Sequence, residues 1–263
     1  MKTVYRHKML ALASITTVLV AVGVARGEVR EEFHHSYPLG AQGRVQLENV
    51  NGDVRVVTWD RVEIKVDAIK RAKKQEHLEE VKIQVDSDPD RIHIKTKYPD
   101  SKTRRNKNNS TSVDYTLTVP KQSRLGKIST VNGGIEIERA GGDVDASSVN
   151  GSVKAIGLSG ETQLSTVNGS VKASFGELKK PISVNSVNGG VSIALPADTN
   201  ADISAHTLNG GISSEFPVQV KKHFPIGQNL DGKLGNGGPT VKMSTVNGGI
   251  HIDRSATVGL DNR

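Results

Sequence analysis

Glu136, Glu138, Asp143 and Asp145 stand close together, and Lys154, Lys172 and His251 recur downstream. Acids and a base on one exposed strand face could perform general acid–base chemistry on a polysaccharide, as a β-helix lyase does. Here the acids alternate along strand-like segments, and Glu136, Lys154, Lys172 and His251 share one column of mixed sign. Mixed charge in one column is the ordinary solvated face of a β protein, so no catalytic residue is assigned and an enzyme is not expected. HExxH, GxSxG, P-loop and dinucleotide-type glycine motifs are absent. Calcium-binding nonapeptides would repeat Gly-Gly-x-Gly-x-Asp, whereas Gly141-Gly-Asp143 occurs once. No metal and no cofactor is expected. With no cysteine, disulfides, thiolate metal sites and an acylated N-terminal cysteine are excluded. Lys102, Arg104, Arg105 and Lys107 lie in one loop, which also holds the glycosylation-type triplets at Asn108 and Asn109. The basic residues are either solvated or a contact for an acidic envelope polymer or lipid headgroup. The triplets matter only in a glycosylating host. His34 and His35 read as a solvated lead-in, and His93 as an exposed strand residue.

The chain is organised by a phrase: small polar residue, Val, Asn, Gly, Gly or Ser, then Val or Ile. Seven Asn-Gly pairs carry it: Asn51-Gly52, Asn132-Gly133, Asn150-Gly151, Asn168-Gly169, Asn188-Gly189, Asn209-Gly210 and Asn247-Gly248. From Asn132 to Asn209 the spacing stays within 18–21 residues, the mark of a repeat architecture. With each asparagine at position 0, position −1 is Val in six copies and Leu208 in the other. Position −2 is Asn49, Thr130, Ser148, Thr166, Ser186, Thr207 or Thr245. Position −4 is Leu47, Ile128, Ala146, Leu164, Val184, Ala205 or Met243, and position +3 is always Val or Ile. Both flanks alternate with period two, as strands do, and −4 and +3 have opposite parity. The chain must therefore turn at Asn-Gly, a pair that tolerates positive φ.

Two folds use such a turn, an antiparallel meander of hairpins and a β-solenoid. The regular spacing favours the solenoid. Equivalent residues then stack at about 4.8 Å, so the asparagines form an amide ladder and the −2 hydroxyls a second one. The corners are thus structural, and Asn168→Ala should cost stability because a stacked amide loses partners on two sides. The fold class is all-β, a β-solenoid of flattened rungs with Asn-Gly corners, preceded by an N-terminal β-strand region with one short helix near 72–80. Few aromatic residues (3%) suit thin rungs packed with small aliphatic side chains.

Residues 1–27 have the form of a cleaved export signal: Lys2, Arg6 and Lys8, the apolar run Met9 to Ala25, then small residues. That run is short for a membrane span, so no transmembrane helix is expected after cleavage. Removing these residues lowers the formal charge from +7 to +3, because they hold Lys2, Arg6, Lys8 and Arg26 and no acid. The basic balance is partly a property of the signal, and nucleic acid is not an expected partner. Residues 28–122 form the N-terminal β region, opening with a divergent repeat at 45–57. Residues 123–253 form the solenoid with a loop insertion at 215–240, and 254–263 a polar tail.

The sequence resembles the bacterial "putative adhesin" domain family over roughly Val45 to Ile252. The strand–Asn-Gly–strand at Val45 to Val56, the strand Tyr115 to Pro120, the serial Ser/Thr-Val-Asn-Gly-Gly-Val units and Gly235-Asn-Gly-Gly-Pro239 carry the resemblance. Ser-Gly is commoner in that family where this chain has Asn-Gly. The resemblance implies an exported β-repeat domain of largely uncharacterised function, and brings no catalytic residues. The expected function is a non-enzymatic envelope protein, in the periplasm, on the surface or released, that binds a surface, polymer or protein. Its alternatives are an envelope signalling or scaffold module and a polysaccharide-active enzyme.

Overall fold

The computed structural model describes residues 27–99, 110–218, 220–222 and 227–255. The signal-like run and the basic residues Lys102, Arg104, Arg105 and Lys107 lie outside the described residues. Among those described, no helix is long and apolar enough to cross a membrane.

The N-terminal part comprises β1 (Val29–Pro38), β2 (Arg44–Glu48), β3 (Val54–Trp59), β4 (Glu63–Ala72), the helix α1 (Gln75–Glu80), β5 (Lys82–Asp88), β6 (Arg91–Lys97) and β7 (Ser112–Pro120). Repeat strands then come in pairs: β8 (Arg124–Asn132) with β9 (Ile135–Glu138), β10 (Val144–Asn150) with β11 (Val153–Leu158), and β12 (Thr162–Asn168) with β13 (Val171–Phe175). There follow β14 (Ile182–Asn188) with β15 (Val191–Pro196), and β16 (Ala201–Asn209) with β17 (Ile212–Ser214). After β18 (Val220–Lys222) and β19 (Gln228–Leu234), the last pair is β20 (Thr240–Asn247) with β21 (Ile250–Ser255).

Each pair is one flattened rung. Its first strand lies in one sheet, the chain turns at Asn-Gly, and its second strand lies in the other sheet. Rung strands pair in parallel and in register, Asn150 beside Asn132 and Val153 beside Ile135. Parallel pairing excludes the hairpin meander, so the fold is the β-solenoid that the spacing predicts. The inside columns face each other as the core. Ile128, Leu164 and Val184 at −4, and Ile135, Val153, Val171 and Val191 at +3, are all at most 2% exposed.

The rungs do not stack in chain order. β20 lies between β14 and β16, and β21 between β15 and β17. The final repeat thus occupies an inner slot, and the preceding one is pushed to the end. The segment 215–240, expected as a loop, forms part of that end. Its β19 pairs antiparallel with β16 and buries Leu230 and Leu234, which covers an edge that would otherwise be open.

The opposite end is closed in a related way. The copy at Asn51 is the rung directly beyond Asn132, since β2 pairs with β8 and β3 with β9. β6 and β7 extend the parallel order by one layer, and antiparallel β5, β4 and β1 finish it. The lead-in from Glu28 is thus no solvated tail: β1 pairs with β4 over ten residues. His34 bonds Asp67 through Nδ1 (2.6 Å) and Glu32 through Nε2 (3.1 Å). Those carboxylates, Asp67 foremost, hold its pKa above the ordinary histidine value. Buried Lys70 fixes α1 by donating to Leu78 O and Val81 O, and pairs with Glu31 at 2.7 Å.

Candidate functional site: the corner column

The seven corners form one edge of the solenoid. Each asparagine Nδ2 donates to the Oδ1 of its neighbour: Asn132 to Asn51, Asn150 to Asn132, Asn168 to Asn150, Asn188 to Asn168, Asn247 to Asn188 and Asn209 to Asn247, at 2.7–2.9 Å. Every amide in the middle of the row keeps a second N–H and a second lone pair for other partners. All of the asparagines but Asn51, at one end of the row, are exposed. Asn168→Ala therefore removes two solvent-facing hydrogen bonds and leaves partners that water can satisfy. A loss of about 1 kcal/mol is expected in urea unfolding. No change would show that the ladder adds nothing to stability.

The −2 hydroxyls do not form a ladder of their own. Each turns inward and donates to the carbonyl of the corner glycine in the adjacent rung: Thr130 to Gly52, Ser148 to Gly133, Thr166 to Gly151, Ser186 to Gly169, Thr245 to Gly189 and Thr207 to Gly248, at 2.7–3.1 Å. A lone hydroxyl column would leave those carbonyls without a side-chain donor in a buried corner.

The corner glycines are also explained differently from the expectation. Of the seven, only Gly52 and Gly189 have φ in the left-handed range. All seven instead stack against backbone: a Cβ on any of them would lie 1.9–2.3 Å from a carbonyl oxygen of the adjacent rung. Close approach of rungs, more than turn geometry, demands glycine here.

The feature that sequence reasoning missed is the −1 column. Val131, Val149, Val167, Val187, Val246 and Leu208 follow one another along the stack, and each is 37–40% exposed. Six residues on adjacent rungs extend about 24 Å. They point outward because −4 and −2 point inward, so parity was the available signal. Valine in an outward column is the anomaly, since that column needs only polar residues for solubility. On the outer side of the same strands lies the −3 column, including Ser129, Ser147, Ser165, Asn185 and Ser244, all half-buried. The edge thus reads, across each strand end, hydroxyl or amide, methyl, amide.

The acids and bases considered for chemistry are placed otherwise. Glu136 pairs with Lys154 at 2.7 Å and with Arg55 at 3.6 Å, and its carboxyl is held below the usual range chiefly by the Lys154 contact. Glu138 pairs with Arg55 at 2.6 Å. His251 Nδ1 meets Ser213 Oγ at 2.7 Å, and His93 bonds Glu48 at 3.1 Å. Among the described residues, no group of three His, Asp or Glu side chains could hold a metal ion.

The model of the Toastrack DUF4097 family matches residues 144–253. Over that segment the chain is similar to a Toastrack DUF4097 domain. The match spans the rungs from β10 to β21, whereas the resemblance read from the Asn-Gly phrase extends further back, to Val45. No sequence among curated proteins matches the chain. Solved structures that match the chain include a putative cell adhesion protein from Clostridium sporogenes, 13% identical, covering 86% of this chain and 100% of that one with a TM-score of 0.49. A putative adhesin from Bacteroides fragilis is 11% identical and covers 86% of this chain and 97% of that one, with a TM-score of 0.31. A putative lipid binding protein from Parabacteroides distasonis has the same identity and coverage and a TM-score of 0.21.

Proposed function

We propose that this protein is an exported, non-enzymatic binding protein of the cell envelope that holds a linear, uncharged glycan along the −1 column of its Toastrack rungs. The observation that carries this reading is the row of six outward apolar side chains, each 37–40% exposed, on adjacent rungs. The row is one residue wide and about 24 Å long. A stable protein interface buries about 800 Å² per partner, more than so narrow a row offers to a second copy of the chain. A single polymer chain laid along the stack fits the shape. Valine methyls pack against the C–H faces of sugar rings. The flanking serine and asparagine columns donate and accept without net charge, as sugar hydroxyls do. The export-like N-terminus supports placement at the envelope.

The test is binding of the exported protein to a panel of uncharged envelope glycans, against V149T/V167T/V187T. Threonine keeps the β-branched shape and replaces a methyl with a hydroxyl. At least tenfold weaker binding with unchanged thermal unfolding is expected. Equal binding by both proteins contradicts the reading. Recovery of one specific envelope protein, with no glycan bound, would favour a scaffold instead.

A further inference from the structure

At the far end of the same outer face, three columns from the valines, Arg44, Arg124, Asp143, Asp145, Glu161 and Gln163 line an open cleft of about 300 Å³. We propose that this cleft binds a small zwitterion, an oxyanion and an ammonium joined by a short linker, with the arginines taking the oxyanion and the carboxylates the ammonium.

A bulge builds the cleft. β2 and β10 both lose register against β8, where Gly126 is the extra residue. A bulge bends its strand and re-aims nearby side chains. Gly126 has no side chain to fill the hollow, and the Arg44 side chain lies across it: a Cβ at 126 would sit 2.4 Å from Arg44 Nε. Register places Arg44 beside Arg124 on adjacent strands, and both line the cleft. Arg124 is steadied by Nε donating to Gln42 O at 3.3 Å, which leaves its terminal nitrogens for another partner. On the other wall Asp143 and Glu161 are neighbours, and Asp143 Oδ1 accepts the Glu161 backbone N–H at 3.0 Å.

The decisive observation is that these opposite charges do not meet. Several opposite charges on adjacent strands of the solenoid close into pairs, as Lys154 with Glu136 (2.7 Å), Arg55 with Glu138 (2.6 Å) and Lys127 with Glu48 (3.3 Å), although Asp202 and Lys233, register partners on β16 and β19, do not. In the cleft, none of Arg44, Arg124, Asp143, Asp145 and Glu161 makes an ion pair within 4.0 Å among the described residues. Asp145 is exposed, and its partial desolvation against the cleft wall still holds its carboxyl above the usual range, with Lys127 and Arg44 only partly offsetting it. A ligand carrying both charges would satisfy both walls together. A plain anion would face the carboxylates, and a plain amine the arginines. Guanidinium pairs suit phosphate and carboxylate oxyanions alike.

The probe is O-phosphoethanolamine, titrated into ¹⁵N-labelled exported protein and followed by amide shifts. Saturable shifts confined to residues 44, 124–126, 143–145 and 161–163 are expected, at least tenfold weaker with R124Q and with D145N. Inorganic phosphate alone and ethanolamine alone should each bind at least tenfold more weakly than the joined molecule. Both variants alter exposed side chains, and unchanged spectra elsewhere verify their fold. A second arm measures co-sedimentation with phosphatidylethanolamine vesicles. Sedimentation that R124Q and D145N abolish supports the proposal with a lipid headgroup as the source, and binding of the soluble probe without sedimentation supports it with a free zwitterion. Phosphate binding as tightly as phosphoethanolamine, absence of saturable shifts, or shifts that survive both substitutions would each overturn it. The cleft is separate from the valine column, so its failure leaves the glycan reading standing.

Discussion

Gly151→Ala is expected to destabilise the protein by about 3 kcal/mol, at the upper end of what overpacking costs. The added Cβ would lie 2.0 Å from Gly133 O and 2.4 Å from Gly133 C. Both atoms are backbone, so no side-chain rotation relieves the contact, and the rungs must separate. Separation stretches the bond from Gly133 N to Asn150 O (3.1 Å), the bond from Ser148 Oγ to Gly133 O (2.8 Å) and the Asn150–Asn132 amide bond (2.8 Å). Gly176 is the control. A Cβ there meets nothing within 4 Å and its φ is outside the left-handed range. Alanine at 176 should leave urea unfolding unchanged or raise stability by a few tenths of a kcal/mol. Similar losses at both positions would show that chain stiffness, and not rung contact, sets the effect.

The second large effect separates the two apolar columns of a single strand. Leu164 is fully buried at −4, and Val167 is 40% exposed at −1. Leu164→Ala should cost about 3 kcal/mol, because a cavity opens between packed rungs. Val167→Ala, three residues further on, should cost about 0.5 kcal/mol, the range of a surface change. Chemical denaturation of both variants measures the difference. Such a result assigns the valine column little share of the stability and leaves contact as its use. Equal losses would make it part of the core.

Much of this architecture was legible in the residues. The 18-residue spacing gives the rungs, the −4 and +3 columns give the core, and Asn at every corner gives the amide ladder. The order of the rungs was hidden for a physical reason. Every copy carries the same columns, so β20 matches β14 and β16 equally well, and pairing energy alone cannot rank the neighbours. The antiparallel partner of β16, supplied by the segment after β17, distinguishes the end of the stack from its interior. The glycine column was read through backbone conformation, because stacking distance is a property of two rungs and not of one phrase. The cleft escaped notice because a single inserted residue, Gly126, shifts one strand's register without disturbing the spacing of the asparagines. The valine column was visible as a column, but its direction follows only from counting parity outward from the buried −4 and −2 positions.

The most direct test of the account is site-specific photocrosslinking in intact cells, with a photoreactive residue at Val167 on the corner edge or at Lys172 on the outer face of the other sheet. Both positions lie on exposed sides of adjoining strands, so reagent access is comparable. A glycan adduct is expected at position 167, sensitive to glycosidase and insensitive to protease after release, with none at 172. Adducts of equal yield at both positions, or none at 167, would contradict it.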